Sequence, residues 1–192
     1  MSNKMSYNLK DYLYLINDFL DQSTCKEITK KISKLNYWEK HSYYDPITNQ
    51  CHSYSNDLSV IHALDIPEIR NINEKLIYVI KSYINKLNFS WYSNFTNYTP
   101  VRLNKYDKNT EMKIHCDHIH SLFDGKHKGI PILTILGSLN NNYKGGELIM
   151  FNEQIIELKA GNLLIFPSNF LYPHKINQII SGTRYSYVSW CW

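Results

Sequence analysis

Beyond residue 100 the chain reads as eight short apolar runs separated by polar turns, at residues 100–106, 112–117, 130–140, 147–151, 154–158, 162–166, 172–176 and 184–190. Runs of this length, rich in β-branched and aromatic residues, can bury alternate side chains and so read as strands. Eight of them in succession suit two facing antiparallel sheets, a double-stranded β-helix or jelly roll. The first half has a different rhythm. Ile69, Ile72, Leu76, Ile80, Tyr83, Ile84 and Leu87 recur at helical spacing behind Asp65, Pro67 and Glu68, which read as cap, first-turn proline and capping-box acid. A shorter helix is expected from a cap at Ser23 or Thr24 to about Leu35, with Cys25, Ile28, Ile32 and Leu35 on its buried face. Strands are expected before it, at residues 12–20, and after it, at 38–44 and 58–63. The expected class is mainly β with supporting helices, the N-terminal helices packed on one sheet of the jelly-roll core. Residues 1–192 read as a single domain, with 1–99 as an α/β support and 100–192 as the core that carries the chemistry. At 192 residues and 43% hydrophobic composition, such a chain can bury a sizeable core without disulfide staples.

The chemistry concentrates at His115-Cys116-Asp117. Residues two apart on a strand share a face, so the His115 imidazole and the Asp117 carboxylate can reach toward one point. A second imidazole would complete a two-His, one-carboxylate set, which holds a non-haem Fe(II) and leaves positions open on it. His174, in Tyr172-Pro173-His174, supplies one. The tripeptide alone carries little weight, because a chain with eight His often contains an H-x-D. Ten residues after His174, Arg184 opens a strand-like run whose alternation puts Arg184, Ser186, Val188 and Trp190 on one face. An Arg turned toward an apolar interior is costly unless it meets an anion, and its planar fork matches a carboxylate.

The series resembles the 2-oxoglutarate and Fe(II)-dependent oxygenases, and most nearly their prolyl 4-hydroxylase-like branch. Three landmarks extend the resemblance. Asn104-Lys105-Tyr106 is similar to the strand that ends in Tyr before the H-x-D; Thr134-Ile135-Leu136-Gly137-Ser138-Leu139-Asn140 resembles a T-x-x-x-Y-L-N strand; Gly145-Gly146-Glu147-Leu148 resembles a G-G-x-L turn. Departures are Asn109 where Gly is usual, and Met112 and Ser138 where Tyr is usual. The resemblance implies an enzyme, a dioxygenase that hydroxylates a C–H bond and releases succinate and CO2. It implies His115, Asp117 and His174 as metal ligands, with Fe(II), 2-oxoglutarate and O2 as cofactor and co-substrates and L-ascorbate as a further reductant. Arg184 and Ser186 would hold the distal carboxylate of 2-oxoglutarate, with Tyr106 and Thr134 as further donors. A peptidyl proline is the substrate the branch implies, in a peptide or protein partner lined by Arg102 and Trp190, with a small molecule as the other option. Two alternatives stay open: a nucleic-acid demethylase of the same superfamily, which would show a second Arg after Arg184, and a non-oxidative cupin-type metal protein, which would not need Arg184.

The net charge of +4 is spread without a long basic run, so electrostatics makes no case for nucleic acid. Sixteen Tyr fill a core or line a groove as readily as they stack bases. No apolar stretch reads as a membrane span. Cys25, Cys51, Cys116 and Cys191 show no C-x-x-C spacing, and no signal run follows Met1, so a cytoplasmic location is expected. Two alanines among abundant Asn, Ile, Lys and Tyr point to an AT-rich genome, viral or bacterial. His41, Cys51, His52 and His62 fit no metal-site spacing. Residues 118–129, polar and carrying Asp124-Gly125 and Lys128-Gly129, are expected to form a lid beside the ligands.

Overall fold

A computed structural model describes residues 4–45, 47–117, 130–151 and 153–192; the expected lid at 118–129 lies outside them. A 3-10 turn, Leu9–Tyr12, leads into β1 (Tyr14–Ile16), α1 (Gln22–Ile32), β2 (Glu39–Lys40), β3 (Tyr43–Asp45), β4 (Gln50–His52), β5 (Ser59–Ile61) and α2 (Pro67–Leu87). The second half holds β6 (Arg102–Tyr106), β7 (Met112–His115), β8 (Leu133–Ser138), β9 (Lys144–Gly145), β10 (Leu148–Met150), β11 (Gln154–Ile156), β12 (Leu163–Pro167), β13 (His174–Ile176), β14 (Ile179–Ser181) and β15 (Arg184–Cys191). Each of the eight expected runs overlaps one of these strands. The larger sheet runs β1-β12-β8-β15-β6-β5-β2 and the smaller one β11-β10-β13-β7. Every described pairing between named strands is antiparallel.

Alternation along β15 gives the larger sheet two different faces. Tyr185, Tyr187 and Cys191 meet Ile28 and Ile32 of α1, Ile69, Ile72, Leu76 and Ile80 of α2, and Leu103, Ile135, Leu163 and Ile165 of neighbouring strands in one core. Val188 and Trp190 turn the other way and pack with Tyr106, Met112, Leu136, Leu148, Phe166 and Ile176 in a second core between the sheets. Gly137 is required by the first core: a Cβ there would stand 2.0 Å from the Tyr187 ring.

Helix ends differ from the expectation. Asp21, not Ser23 or Thr24, caps α1, its carboxylate accepting from the Thr24 N–H at 2.8 Å. Three cap-competent side chains stand within four residues there, and Asp21 wins because Gln22 already has helical geometry. At α2 the cap position is Ile66, which makes no side-chain cap bond, and Asp65 stands one residue too early. Pro67 fixes this boundary by forcing Ile66 into extended backbone, φ −75° and ψ 118°. The helix closes at Asn88 in the left-handed region, φ 50°. Asn109 also takes left-handed backbone, φ 68°, as expected of an Asn standing in for Gly. Neither described helix is long and apolar enough to cross a membrane.

Candidate metal centre

The two histidines come together through sheet register. β13 pairs with β7 so that His174 stands directly opposite His115, with ring centroids 4.4 Å apart. Asp117 lies just past the end of β7 and turns into the same space. His115 Nε2 is 3.3 Å from Asp117 Oδ1, and His174 Nε2 is 3.9 Å from Asp117 Oδ2. Asp117 and His174 are buried and His115 is partly so. Among the described residues these three are the only His, Cys, Asp or Glu group able to hold a metal ion, their ligand atoms lying within 4.8 Å of one another.

The backbone fixes the tautomers. His115 Nδ1 lies 2.8 Å from the Lys113 carbonyl oxygen and His174 Nδ1 lies 3.1 Å from that of Tyr172. A carbonyl only accepts, so each Nδ1 carries the proton and each Nε2 presents a lone pair to the shared space. Two lone pairs facing a carboxylate repel unless a cation lies between them, and imidazole nitrogen with carboxylate oxygen suits a divalent transition ion. Burial opposes ionisation of Asp117, but the His174 and His115 rings and the Thr134 hydroxyl prevail and hold its carboxyl well below the usual range. Burial lowers His174. Burial acts the same way on His115, but its contact with Asp117 outweighs it and the net shift is upward. The residues therefore fit a bound Fe(II).

Arg184 is the other constrained group. It is 2% exposed, and no carboxylate pairs with it among the described residues. Nη1 donates to Ser186 Oγ at 3.0 Å, and Nε is buried with no partner. Tyr106 is its cross-strand neighbour, the guanidinium lying 5.1 Å from that ring. Burial raises the Tyr106 hydroxyl, and Arg184 pulls it partly back. The Arg184 stem passes Gly146, where a Cβ would stand 3.2 Å from Cδ. A buried guanidinium with a donor unmet is costly, and a carboxylate ligand would relieve it.

The hollow beside the ligands is lined by Arg102, Asn104, Tyr106, Thr134, Val188 and Trp190, among others. Arg184 instead lines a second hollow with Tyr143, Gly146, Leu148 and Ile156. Tyr106 lines the ligand hollow and has the Arg184 guanidinium 5.1 Å from its ring. Thr134, expected as a further donor, gives its single hydroxyl proton to Asp117 Oδ2, 2.6 Å away. Arg102 stacks on Trp190, Cζ to ring centroid 4.8 Å, and its Nε donates to Asn104 Oδ1 at 3.2 Å. Trp190 Nε1 is buried with no acceptor.

Three residues near the site were given no role in it by the sequence. Ser168 lies 2.9 Å from Thr134 Oγ1. Asn104 lines the hollow on the face shared by Arg102 and Tyr106. His41 is pushed down to about 4 by burial first and then by Arg102 and His115. An alternation argument extended to β6 would have found Asn104. Ser168 and His41 reach the site only through the tertiary fold.

Residues 101–192 match the model of a family described as the 2OG-Fe(II) oxygenase superfamily. A PKHD-type hydroxylase of Shewanella baltica is 33% identical over 95 residues, 47% of this chain and 42% of the relative. The chain thus spans under half the length of the curated relatives it first matches. A PKHD-type hydroxylase of Prochlorococcus marinus is 26% identical over 181 residues, 92% of this chain and 76% of the relative. Among solved structures, a Trichoplax adhaerens prolyl hydroxylase in complex with a hypoxia inducible factor peptide fragment superimposes with TM-score 0.69 at 21% identity, covering 94% of this chain and 83% of the other. A Pseudomonas putida prolyl-4-hydroxylase gives 0.67 at 14% identity, covering 94% and 91%. These neighbours share the fold. Over residues 101–192, the half of the chain in which β7 and β13 assemble the triad, the sequence is thus similar to the 2OG-Fe(II) oxygenase superfamily.

Proposed function

We propose that this chain is an Fe(II)- and 2-oxoglutarate-dependent dioxygenase that hydroxylates a C–H bond of a proline-containing peptide. The observation that carries the co-substrate is Arg184: a buried cation with no carboxylate among the described residues and a donor left unmet. His115, Asp117 and His174 would hold the ion through two Nε2 atoms and one carboxylate. Fe(II) held there with 2-oxoglutarate and O2 supplies an oxidant able to convert an unactivated C–H bond to C–OH, with succinate and CO2 released.

The chain's own work is placement. Arg184 and Ser186 present charge-assisted donors to the distal carboxylate of a diacid, with Tyr106 as their cross-strand neighbour. Leu136, Ile176 and Val188 wall the hollow with apolar side chains and keep water from the ligand space. On the opposite side, Trp190 Nε1 lacks an acceptor, and a substrate carbonyl would supply one. An extended, proline-stiffened peptide loses little conformational freedom when it lies along Trp190 and the Arg102 stacked on it. L-ascorbate would serve to keep the iron ferrous.

Anaerobic titration of the apo protein with Fe(II) and then 2-oxoglutarate tests the reading. Bidentate chelation of the ion gives a weak visible charge-transfer band, which should appear in this chain. Its absence would favour a cupin-type metal protein. Incubation in air with proline peptides, free amino acids and methylated oligonucleotides then separates the substrate classes. Succinate release with a one-oxygen gain on peptide is expected, and demethylation of the oligonucleotides with no peptide product would overturn the peptide assignment.

A further inference from the structure

Asp117 is held by more than its burial. Thr134, on β8, donates its hydroxyl proton to Asp117 Oδ2 over 2.6 Å, the short range of a hydrogen bond to a charged oxygen. The Thr134 oxygen also lies 2.9 Å from Ser168 Oγ. A threonine hydroxyl has one proton, and an ionised carboxylate only accepts, so the direction of the chain is set: Ser168 donates to Thr134, and Thr134 donates to Asp117. Both hydroxyl residues are 1% exposed, and Asp117 is 5% exposed. The backbone pins the two ends. Thr134 is paired in register with Phe166 on one side and Trp190 on the other, and the Ser168 N–H donates to the Ile132 carbonyl at 3.0 Å.

We propose that Thr134 and Ser168 are positioning residues that restrict Asp117 to coordination through one oxygen. With Oδ2 tied to Thr134, Oδ1 is the oxygen left to the ion, 3.3 Å from His115 Nε2. The consequence is a count of open positions. Two imidazoles and a one-oxygen carboxylate leave three of six octahedral positions open, two for a chelating keto acid and one for O2. A carboxylate released to bind through both oxygens would occupy one of those three. The relay thus protects the capacity of the site to accept its co-substrate without touching that co-substrate. This inference rests on the triad being the metal centre.

The test uses Thr134→Val, which keeps shape and removes the hydroxyl, together with Ser168→Ala and Thr134→Ser. Each is loaded anaerobically with Fe(II), and then titrated with 2-oxoglutarate and, separately, with oxalate, a chelator too short to reach Arg184. Thr134→Val is expected to keep Fe(II) affinity within a few-fold while weakening both chelators about tenfold or more, the scale seen when partners behind a metal ligand are removed. Ser168→Ala should shift both in the same direction by a smaller factor, and Thr134→Ser should restore them. Infrared spectra of the Zn(II)-loaded proteins give a readout independent of turnover. The splitting between the two carboxylate stretches is wide for one-oxygen and narrow for two-oxygen coordination, and it should narrow in Thr134→Val. Unchanged oxalate affinity and splitting in both hydroxyl-deleted variants would overturn the proposal. So would a loss confined to 2-oxoglutarate, which would make Thr134 a direct contact. Failure of the unsubstituted protein to bind Fe(II) at all would instead defeat the metal-centre reading.

Discussion

The two faces of the larger sheet are built from the same strands and have opposite economies. Toward α1 and α2, the core is a run of buried Ile, Leu and Tyr side chains, in which the Tyr187 hydroxyl is a buried polar group without a partner but no side chain is charged. Toward the smaller sheet, β15 presents Arg184, Ser186, Val188 and Trp190, and two of these four carry a buried donor with no partner. Alternation by one residue separates a face that stabilises the fold from a face that costs stability and carries the site. The first makes the second affordable.

The widest gap between the faces should appear in metal binding. Asp117→Ala or His174→Ala should lower Fe(II) affinity by more than about a hundredfold, exceeding what partners behind the ligands cause, while the melting temperature of the apo protein does not fall. Equilibrium dialysis with calorimetry measures both, and a fall in apo stability comparable to a core truncation would erase the distinction. The converse variant is Ile80→Ala on the helical face. It should cost about 2 to 5 kcal/mol by denaturant unfolding and leave metal affinity unaltered.

Arg184 sharpens the contrast within one residue. Arg184→Met should weaken 2-oxoglutarate binding by about 2 to 5 kcal/mol, from the lost charge-assisted contact. The same change should leave the apo fold equally stable or stabilise it by about 1 to 4 kcal/mol, since it removes an uncompensated buried charge. Lower affinity with lower stability would make Arg184 a structural residue.

The smallest effect concerns His41. Its folded form titrates near 4, against about 6.5 in an unfolded chain. Below 6.5 the unfolded chain takes up a proton that the folded one refuses, so stability is full above that pH and declines as pH falls toward 4. Urea unfolding at pH 7 and pH 4.5 should show the decline, and His41→Gln should reduce it.

What the sequence disclosed follows from range. Strand positions and the triad were legible because period-two alternation is local, and because His115 and Asp117 are two residues apart. His174 needed only its place at the start of β13. Ser168 was not legible, because its role depends on β12 ending beside β8, a contact 34 residues away in sequence. Thr134 was singled out, but its bond to Asp117 was not legible for the same reason: Asp117 reaches it only through folding. The cap of α2 was misread because Pro67 acts on the preceding residue more strongly than Asp65 can act on the helix.

Among the described residues β7 pairs along β13 and with no other named strand, so within them it forms the rim of the smaller sheet. That rim and the turn just past it carry His115 and Asp117, while its neighbour carries His174. An ion in this position is a clasp across the last seam of the sheet as well as a reagent. Its binding energy then adds to folding by mass action, about 2.7 kcal/mol when free metal is a hundred times its dissociation constant. The rim should accordingly exchange its amide hydrogens more slowly as metal is supplied. Protein lifetime under proteolysis would then track iron supply, so that scarcity would thin the population of molecules as well as idle it.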